Sequence, residues 1–191
     1  MKHATRIDAR TIKTKQRIQE TLRMMVMDHT YSQITVSELA RKADIHRKTF
    51  YLHYETIDSA FEELAKSVAE MIGKLASSHV DSILLGDYMP FLNAYEDFLT
   101  EDQKFHKRLF CEPSYRNLNL QIQNLSCDAL LDTIEKASQD ISDIDRMKIS
   151  FIAYGLNGIR RHEYLTQEAH ATRASTALLS KIANACWNSD T

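Results

Sequence analysis

The sequence predicts an all-α protein, and three observations indicate this fold class. Only four Gly and two Pro occur among 191 residues, so residues that mark turns are scarce. Residue types that favour helices, chiefly Leu, Ala, Lys, Glu, Gln, Arg and Met, are plentiful. Apolar residues recur at helical spacing, and no run of β-branched residues alternates with polar ones. With 43% hydrophobic residues, the chain can build one moderate domain or a small domain fused to a larger one.

The N-terminal part predicts a unit of three helices. After a basic arm, apolar residues at helical spacing predict a first helix over about residues 11–29. Thr35 followed by Glu38 indicates a capping box at the start of a second helix, which must stop near Asp44. Since Asp tolerates the left-handed conformation, a tight turn can follow before a third helix over residues 47–53. Two helices joined by so short a turn are typical of a helix-turn-helix unit.

The rest of the chain predicts a larger helical body. Thr56 can cap a long helix whose apolar stripe continues to about His79. Further helices are predicted at roughly 88–100, 102–111, 114–138, 143–165 and 172–187. The expected domains are therefore a helix-turn-helix domain at 1–56 and an all-helical domain at 57–191.

Charge is distributed unevenly along the chain. Residues 1–54 contain 11 Lys or Arg and 5 Asp or Glu, whereas residues 55–191 contain 13 and 21, and the net charge of −2 hides this contrast. A basic surface confined to one small unit fits a polyanion partner. An acidic body argues against a protein that coats nucleic acid along its whole surface.

Other classes of protein are not favoured. The N-terminus lacks an apolar signal segment, and no stretch approaches the roughly 18 apolar residues of a membrane span. The cysteines, Cys111, Cys127 and Cys186, are far apart and suit a reducing compartment, so we expect a cytoplasmic protein without a membrane partner. Because no metal-ligand spacing, Gly-rich phosphate loop or nucleophile elbow occurs, we expect neither an enzyme nor a cofactor or metal.

Cations, hydroxyls and an aromatic residue crowd the predicted third helix. Arg47 and Lys48 lie at its start, the end that enters the major groove of DNA first, and Tyr51 and His53 can hydrogen bond to phosphates. A solvated helix face is the competing interpretation. The candidate DNA-binding residues are Thr35, His46, Arg47, Lys48, Thr49, Tyr51, His53, Lys13 and Arg17.

The stretch "TVSELARKADIHRKTFYLHY" resembles the N-terminal domain of the tetracycline-repressor (TetR) family of bacterial transcriptional regulators. The resemblance covers about residues 11–61. It implies a three-helix DNA-binding unit followed by an all-α domain for effector binding and dimerisation. It further implies a homodimeric repressor that binds double-stranded DNA at a palindromic operator, with half-sites ~34–36 Å apart. An unknown small-molecule effector would release this repressor from the operator.

Three positions depart from the family pattern. Asp44 stands where the family usually has Gly, and His46 where it usually has Ser, although a ring nitrogen of His46 could accept a cap bond. Ile57 replaces a Lys that commonly contacts a phosphate, so one such contact is absent. The basic arm could compensate with Lys2, Arg6, Arg10, Lys13, Lys15 and Arg17.

The body contains candidate pocket and interface residues. Side chains that combine aromatic bulk with polar tips are candidates for an effector pocket, namely Met71, Tyr95, Phe98, Phe110, Tyr115, Tyr154 and Asn157. Gly155 and Gly158 lack side chains, so the backbone of another helix could approach closely there. The last predicted helix has a narrow apolar face. The candidate dimer-interface residues are Gly155, Gly158, Leu178, Ile182 and Ala185. For both sets, ordinary core packing is the alternative.

Two other functions remain open at the level of sequence. In the first, the protein binds DNA, but its body binds a protein partner instead of a small ligand, as an activator could. In the second, the chain is a helical interaction module with no DNA role. A cavity inside the body would favour the small-molecule effector, and a solid core with an exposed apolar patch would favour the protein partner.

Overall fold

The computed structural model describes residues 2–138, 140–166 and 172–188, and within these ranges every regular element is helical. The α-helices are α1 (Lys2–Asp28), α2 (Val36–Lys42), α3 (Arg47–Tyr51), α4 (Ile57–Ser78), α5 (Val80–Leu84), α6 (Met89–Glu101), α7 (Gln103–Cys111), α8 (Arg116–Ala137), α9 (Asp143–Thr166) and α10 (Thr172–Trp187), with short 3-10 helices at Tyr31–Gln33 and Pro113–Tyr115. The predicted all-α class is therefore confirmed.

The predicted helices differ from the structure at α1, at α5 and at the end of α3. Helix α1 begins at Lys2, so the backbone of the predicted basic arm continues the helix. Helix α5 was not predicted, because five residues are too few to show a helical period. The five predicted body helices after α5 begin and end within two residues of α6 to α10.

Two hydrophobic cores share helix α4. The first core joins α1, α2 and α3 to the N-terminal half of α4, as far as Val68, and to parts of α7 and α8. The second core starts at Ile72 on the same helix and continues through α6, α8, α9 and α10. We call α1, α2 and α3 the head and the remaining helices the body. Helix α4 of the body therefore connects the two cores without a break.

Helices α4 and α8 approach each other closely. A Cβ atom placed on Gly73 of α4 would lie 3.3 Å from Cβ of Ala129 on α8, which is tighter than ordinary van der Waals contact. Glycine at this position therefore lets the two 22-residue helices pack side by side.

The end of α7 holds the C-terminal end of α1. Arg108 donates from Nη2 to the carbonyl of His29 at 3.1 Å and from Nε to the carbonyl of Val26 at 3.4 Å. The hydroxyl of Tyr115 donates to the same His29 carbonyl at 2.9 Å. Carbonyls at the end of a helix have no partner within the helix, so these side chains supply the missing donors. The position of the head thus depends on α7.

A buried ion-pair cluster joins α6, α9 and α10. Arg160 is 2% exposed and pairs through Nη1 with Glu163 at 2.8 Å and through Nη2 with Glu96. The same Nη2 donates to the hydroxyl of Thr176 at 3.1 Å. Burial raises the pKa of the Glu96 carboxyl, and the Arg160 charge opposes that rise. The Arg160 charge therefore favours the ionised form of the Glu96 carboxyl inside the body.

Replacing Arg160 by Met should lower the free energy of unfolding by about 3–5 kcal/mol, because Glu96 and Glu163 would lose their buried partner. Arg146→Met is the matched control. Arg146 also lies on α9 but pairs with Glu135 at the surface. Its replacement should lower the free energy of unfolding by at most about 1 kcal/mol. Urea denaturation at fixed protein concentration measures both losses. Equal losses would contradict a structural role for the buried cluster.

Candidate nucleic-acid interface and internal cavity

The turn between α2 and α3 sets the geometry of the helix-turn-helix unit. The side chain of Thr35 accepts a hydrogen bond from the backbone of Glu38, which caps α2 as predicted. Asp44 adopts the left-handed conformation, with φ of 50°, and the Ile45 amide donates to the Ala40 carbonyl at 3.0 Å. The tight turn predicted at Asp44 is confirmed.

Three local predictions in this unit are wrong. The carboxylate of Glu38 does not return to the Thr35 backbone to complete a capping box, because it pairs with Arg41, with Oε1 2.6 Å from Nη2. The side chain of His46 makes no cap bond, although its backbone has the extended conformation of an N-cap residue. Helix α3 is also shorter than predicted and ends at Tyr51.

The exposed face of α3 carries unpaired cations. Phe50 is fully buried, whereas Arg47 and Lys48 are exposed, and within the described residues neither has an ion-pair partner. Tyr51 is 49% exposed. The exposed part of this face can therefore meet phosphates and base edges without first breaking a salt bridge.

The other candidate DNA-binding residues surround α3. Thr35 and His46 are exposed at the starts of α2 and α3, while Thr49 and His53 are half-buried. Lys13 and Arg17 are exposed on α1. The DNA-binding role of every one of these residues stays a prediction.

Lys15 of the basic arm and Ile57 both pack against the protein. Lys15 faces the fold, since its Nζ lies 2.7 Å from Glu63 and 5.6 Å from the centre of the Tyr54 ring. It is therefore engaged with protein and is a poor substitute for a missing phosphate contact. Ile57 is half-buried and packs on the first core at the start of α4.

A largely apolar cavity lies where the two cores meet. Its volume is about 40 Å³. Its walls combine Val68, Leu109 and Ile122 of the first core with Ile72, Phe91, Tyr95, Leu99, Phe110, Leu130, Ala153 and Leu156 of the second, and with Phe98, His106, Asn119, Ser126 and Asn157. A movement of these walls would therefore involve both cores.

Four of the seven predicted pocket residues line this cavity, namely Tyr95, Phe98, Phe110 and Asn157. The other three lie elsewhere. Met71 is 41% exposed and Tyr154 is 45% exposed, with its hydroxyl bonded to Asn124. Tyr115 is fully buried in the first core, where its hydroxyl holds the end of α1.

Sequence reasoning missed the polar lining residues His106, Asn119 and Ser126. For His106 a signal existed, because it falls between Phe105 and Leu109 on the apolar side of a predicted helix. A histidine within such a stripe is expected to be buried, but the pattern does not show that it borders a cavity.

The outer face of α9 and α10 is apolar and open. A Cβ atom on Gly155 or Gly158 would meet none of the described residues within 4 Å. Phe151 is 63% exposed on α9, and Leu178 and Ile182 are 57% and 46% exposed on α10. Ala185 is exposed on α10 as well. The predicted dimer-interface residues therefore lie at the surface, and their pairing with a second copy remains a prediction.

Fold, turn and exposed cations together define a helix-turn-helix protein with a helical body. No family model matches the chain. Over 91 residues it is 30% identical to an uncharacterised HTH-type transcriptional regulator, YxbF, of Bacillus subtilis (strain 168). The matched region is 46% of this chain and 24% of YxbF, so the chain spans about a quarter of that relative's length.

Solved structures show a similar fold over nearly the whole chain. A TetR family transcription regulator from Marinobacter aquaeolei VT8 is 13% identical with a TM-score of 0.62, covering 94% of this chain and 97% of that one. The dihydroxyacetone kinase operon activator DhaS is 20% identical, with a TM-score of 0.61 and coverage of 91% and 96%. The fatty acid degradation regulator FadR from Bacillus halodurans is 18% identical, with a TM-score of 0.56 and coverage of 92% and 95%.

These comparisons establish that the chain has the fold of TetR-type regulators, with a helix-turn-helix unit followed by a helical domain. The resemblance to the TetR family that the sequence motif indicates is supported. None of the described helices is both long and apolar enough to cross a membrane. In the described part of the chain, no group of three or more His, Cys, Asp or Glu could hold a metal ion.

Replacing His46 by Ser should stabilise the head by about 0.5–1 kcal/mol, because a serine hydroxyl can accept the cap bond that His46 does not make. His53→Ser is the matched control, since His53 follows the end of α3 and has no cap position to fill. Chemical denaturation measures both changes. An equal effect of the two substitutions would show that the cap is not the cause.

Proposed function

We propose that this chain is a DNA-binding transcription regulator that acts as a homodimeric repressor and is released from a palindromic operator by a small-molecule effector. The observation that carries the DNA-binding part is the exposed pair Arg47 and Lys48 on α3. This helix directly follows the tight turn at Asp44. The basic head and the fold of TetR-type regulators support the same proposal.

In this proposal α3 enters the major groove of the operator. Arg47 and Lys48 lie in the first turn of α3, so they reach base edges on the groove floor or phosphates at its rim. Thr35, Tyr51 and His53 lie to either side and donate to the phosphates that flank the groove. Lys13 and Arg17 on α1 add further positive charge along the DNA backbone.

The dimer is proposed to form through the outer face of α9 and α10. Two such helices from each copy make a four-helix bundle, and glycines at 155 and 158 let a partner helix approach closely. Phe151, Leu178 and Ile182 supply apolar area that water covers in the single chain. The two-fold axis of this bundle then relates the two α3 helices, which fits a palindromic site.

Release by an effector is proposed to pass through α7. One side of this helix places Leu109 and Phe110 in the cavity wall. Another side of the helix holds α1 through two contacts. Arg108 donates to the His29 carbonyl, and the ring centre of Phe105 lies 3.9 Å from the Arg23 guanidinium. A ligand that favours a wider cavity therefore favours a different position of the head, which is a coupling between two sites.

The internal cavity favours a small-molecule effector over a protein partner for the body. A protein partner would need a solid body with an exposed apolar patch apart from the dimer face. The cavity is bounded by two cores and bordered by polar groups, as expected of a ligand site in its closed form.

Selection of bound sequences from a library of random DNA duplexes is the most direct test of the proposed function. The purified protein should enrich sequences with two inverted half-sites one helical turn apart. Enrichment of no sequence would contradict DNA reading, and enrichment of single half-sites would contradict binding as a symmetric dimer. A reporter driven by the selected operator should then be less active when the protein is present, as repression requires.

The Arg47→Ala/Lys48→Ala variant should bind the selected operator at least about tenfold more weakly than wild type, because each side chain contacts a base edge or a phosphate. Lys74→Ala/Lys136→Ala removes the same charge from exposed positions of the body and serves as the control. Fluorescence anisotropy across a salt titration measures both variants. Equal binding by wild type and the α3 variant would rule out this face as the reading surface.

Phe151→Glu should raise the dimer dissociation constant by roughly 30-fold or more, since a charge would be buried in the proposed bundle. Leu85→Glu is the control, because Leu85 is 82% exposed and lies outside the α9 and α10 face. Analytical ultracentrifugation measures the change. The proposed interface would be refuted by monomers in the Leu85 variant and dimers in the Phe151 variant.

A further inference from the structure

A buried histidine borders the cavity with an unused ring nitrogen. His106 is 2% exposed and lies edge-on to the rings of Phe98 and Phe105, with centroids 4.7 and 5.3 Å away. Among the described residues, its Nε2 finds no hydrogen-bond partner. An unpaired polar atom in an apolar interior costs free energy, so this nitrogen gains from any group that enters the cavity and bonds to it.

The cavity offers no charge to a ligand. Among the described residues that line it, none is Asp, Glu, Lys or Arg. Burial lowers the pKa of His106 to about 4, with a smaller contribution from the Arg23 charge and an opposing one from Asp102, so the imidazole is neutral at pH 7. A charged ligand would lose its hydration without gaining an opposite charge.

One other polar lining group is already engaged. The amide nitrogen of Asn157 already donates to the Ala153 carbonyl at 3.0 Å. Among the described lining residues, Nε2 of His106 is the one fully buried side-chain polar atom without a partner. A ligand that bonds to Nε2 of His106 therefore needs an uncharged polar group on a mainly apolar surface.

We propose that the cavity binds an uncharged, mainly apolar molecule whose hydroxyl group hydrogen bonds to Nε2 of His106. This inference rests on the proposed effector response and names the chemical class of the effector. A hydroxyl suits the site because it both donates and accepts, and so pairs with either tautomer of a neutral imidazole. A purely apolar ligand would leave Nε2 without a hydrogen bond.

Four probes on one benzyl scaffold test the proposal at pH 7 without DNA. Benzyl alcohol carries the neutral hydroxyl, toluene lacks a polar group, benzoate is an anion and benzylamine is a cation. Calorimetric titration should show that benzyl alcohol binds at least about tenfold more tightly than benzoate or benzylamine, because only the ions lose hydration without compensation. Tighter or equal binding of either ion would overturn the neutral-ligand assignment, as would binding of none of the four.

The variant His106→Phe separates the hydrogen bond from ring packing. Phe preserves the ring beside Phe98, so a merely structural role predicts unchanged binding of both toluene and benzyl alcohol. The proposal predicts that only benzyl alcohol loses affinity, by about five- to tenfold, the value of one buried hydrogen bond. Equal effects on the two probes would overturn it.

Nitrogen NMR of the imidazole gives a readout that does not depend on affinity. The two ring-nitrogen resonances that disappear in His106→Phe belong to His106, and benzyl alcohol but not toluene should shift them. A shift with neither probe or with both would contradict the proposed bond. Since these measurements contain no DNA, their failure would leave the operator-selection result standing, and failure of that selection would leave these results standing.

Discussion

Helix α4 is the constraint on which the rest of the structure depends, because it belongs to both cores without a break. Its start is fixed by a reciprocal cap, in which Thr56 accepts from the Ser59 backbone at 3.1 Å and the Ser59 hydroxyl accepts from the Thr56 backbone at 3.2 Å. From there the helix buries Phe61 in the first core and Ala76 in the second. A rigid helix shared in this way prevents the head from moving independently of the body.

The fold of the head could be predicted because its signals are local. Thr35 caps α2, Asp44 forms the turn and Phe50 points inward, and each role follows from residue type and spacing within a few positions. The errors at Glu38 and His46 have the same origin. A capping pattern names a possible partner, but a competing cation one turn away, Arg41, takes the carboxylate of Glu38.

The site in the body could be predicted only in part, because its geometry comes from residues distant in sequence. Tyr95 and Asn157 were found by their mixed character, yet the same character placed Tyr154 in the candidate pocket although it faces outward. Arg160 was not found, since a polar residue on a helix is usually exposed. Its burial depends on α6 and α10 closing around it, which no local pattern encodes.

The size of the cavity links ligand binding to movement. A volume of about 40 Å³ holds only a few water molecules, whereas sites for small molecules measure roughly 300–1,000 Å³. A larger ligand therefore enters only if the walls separate, and part of its binding energy is used to give up packing between α6, α7 and α8. Only the difference in its affinity for the closed and the widened body can shift the equilibrium. Because Leu109 lies in the cavity wall and its neighbour Arg108 holds the end of α1, the movement that admits the ligand also displaces the contact that positions the head.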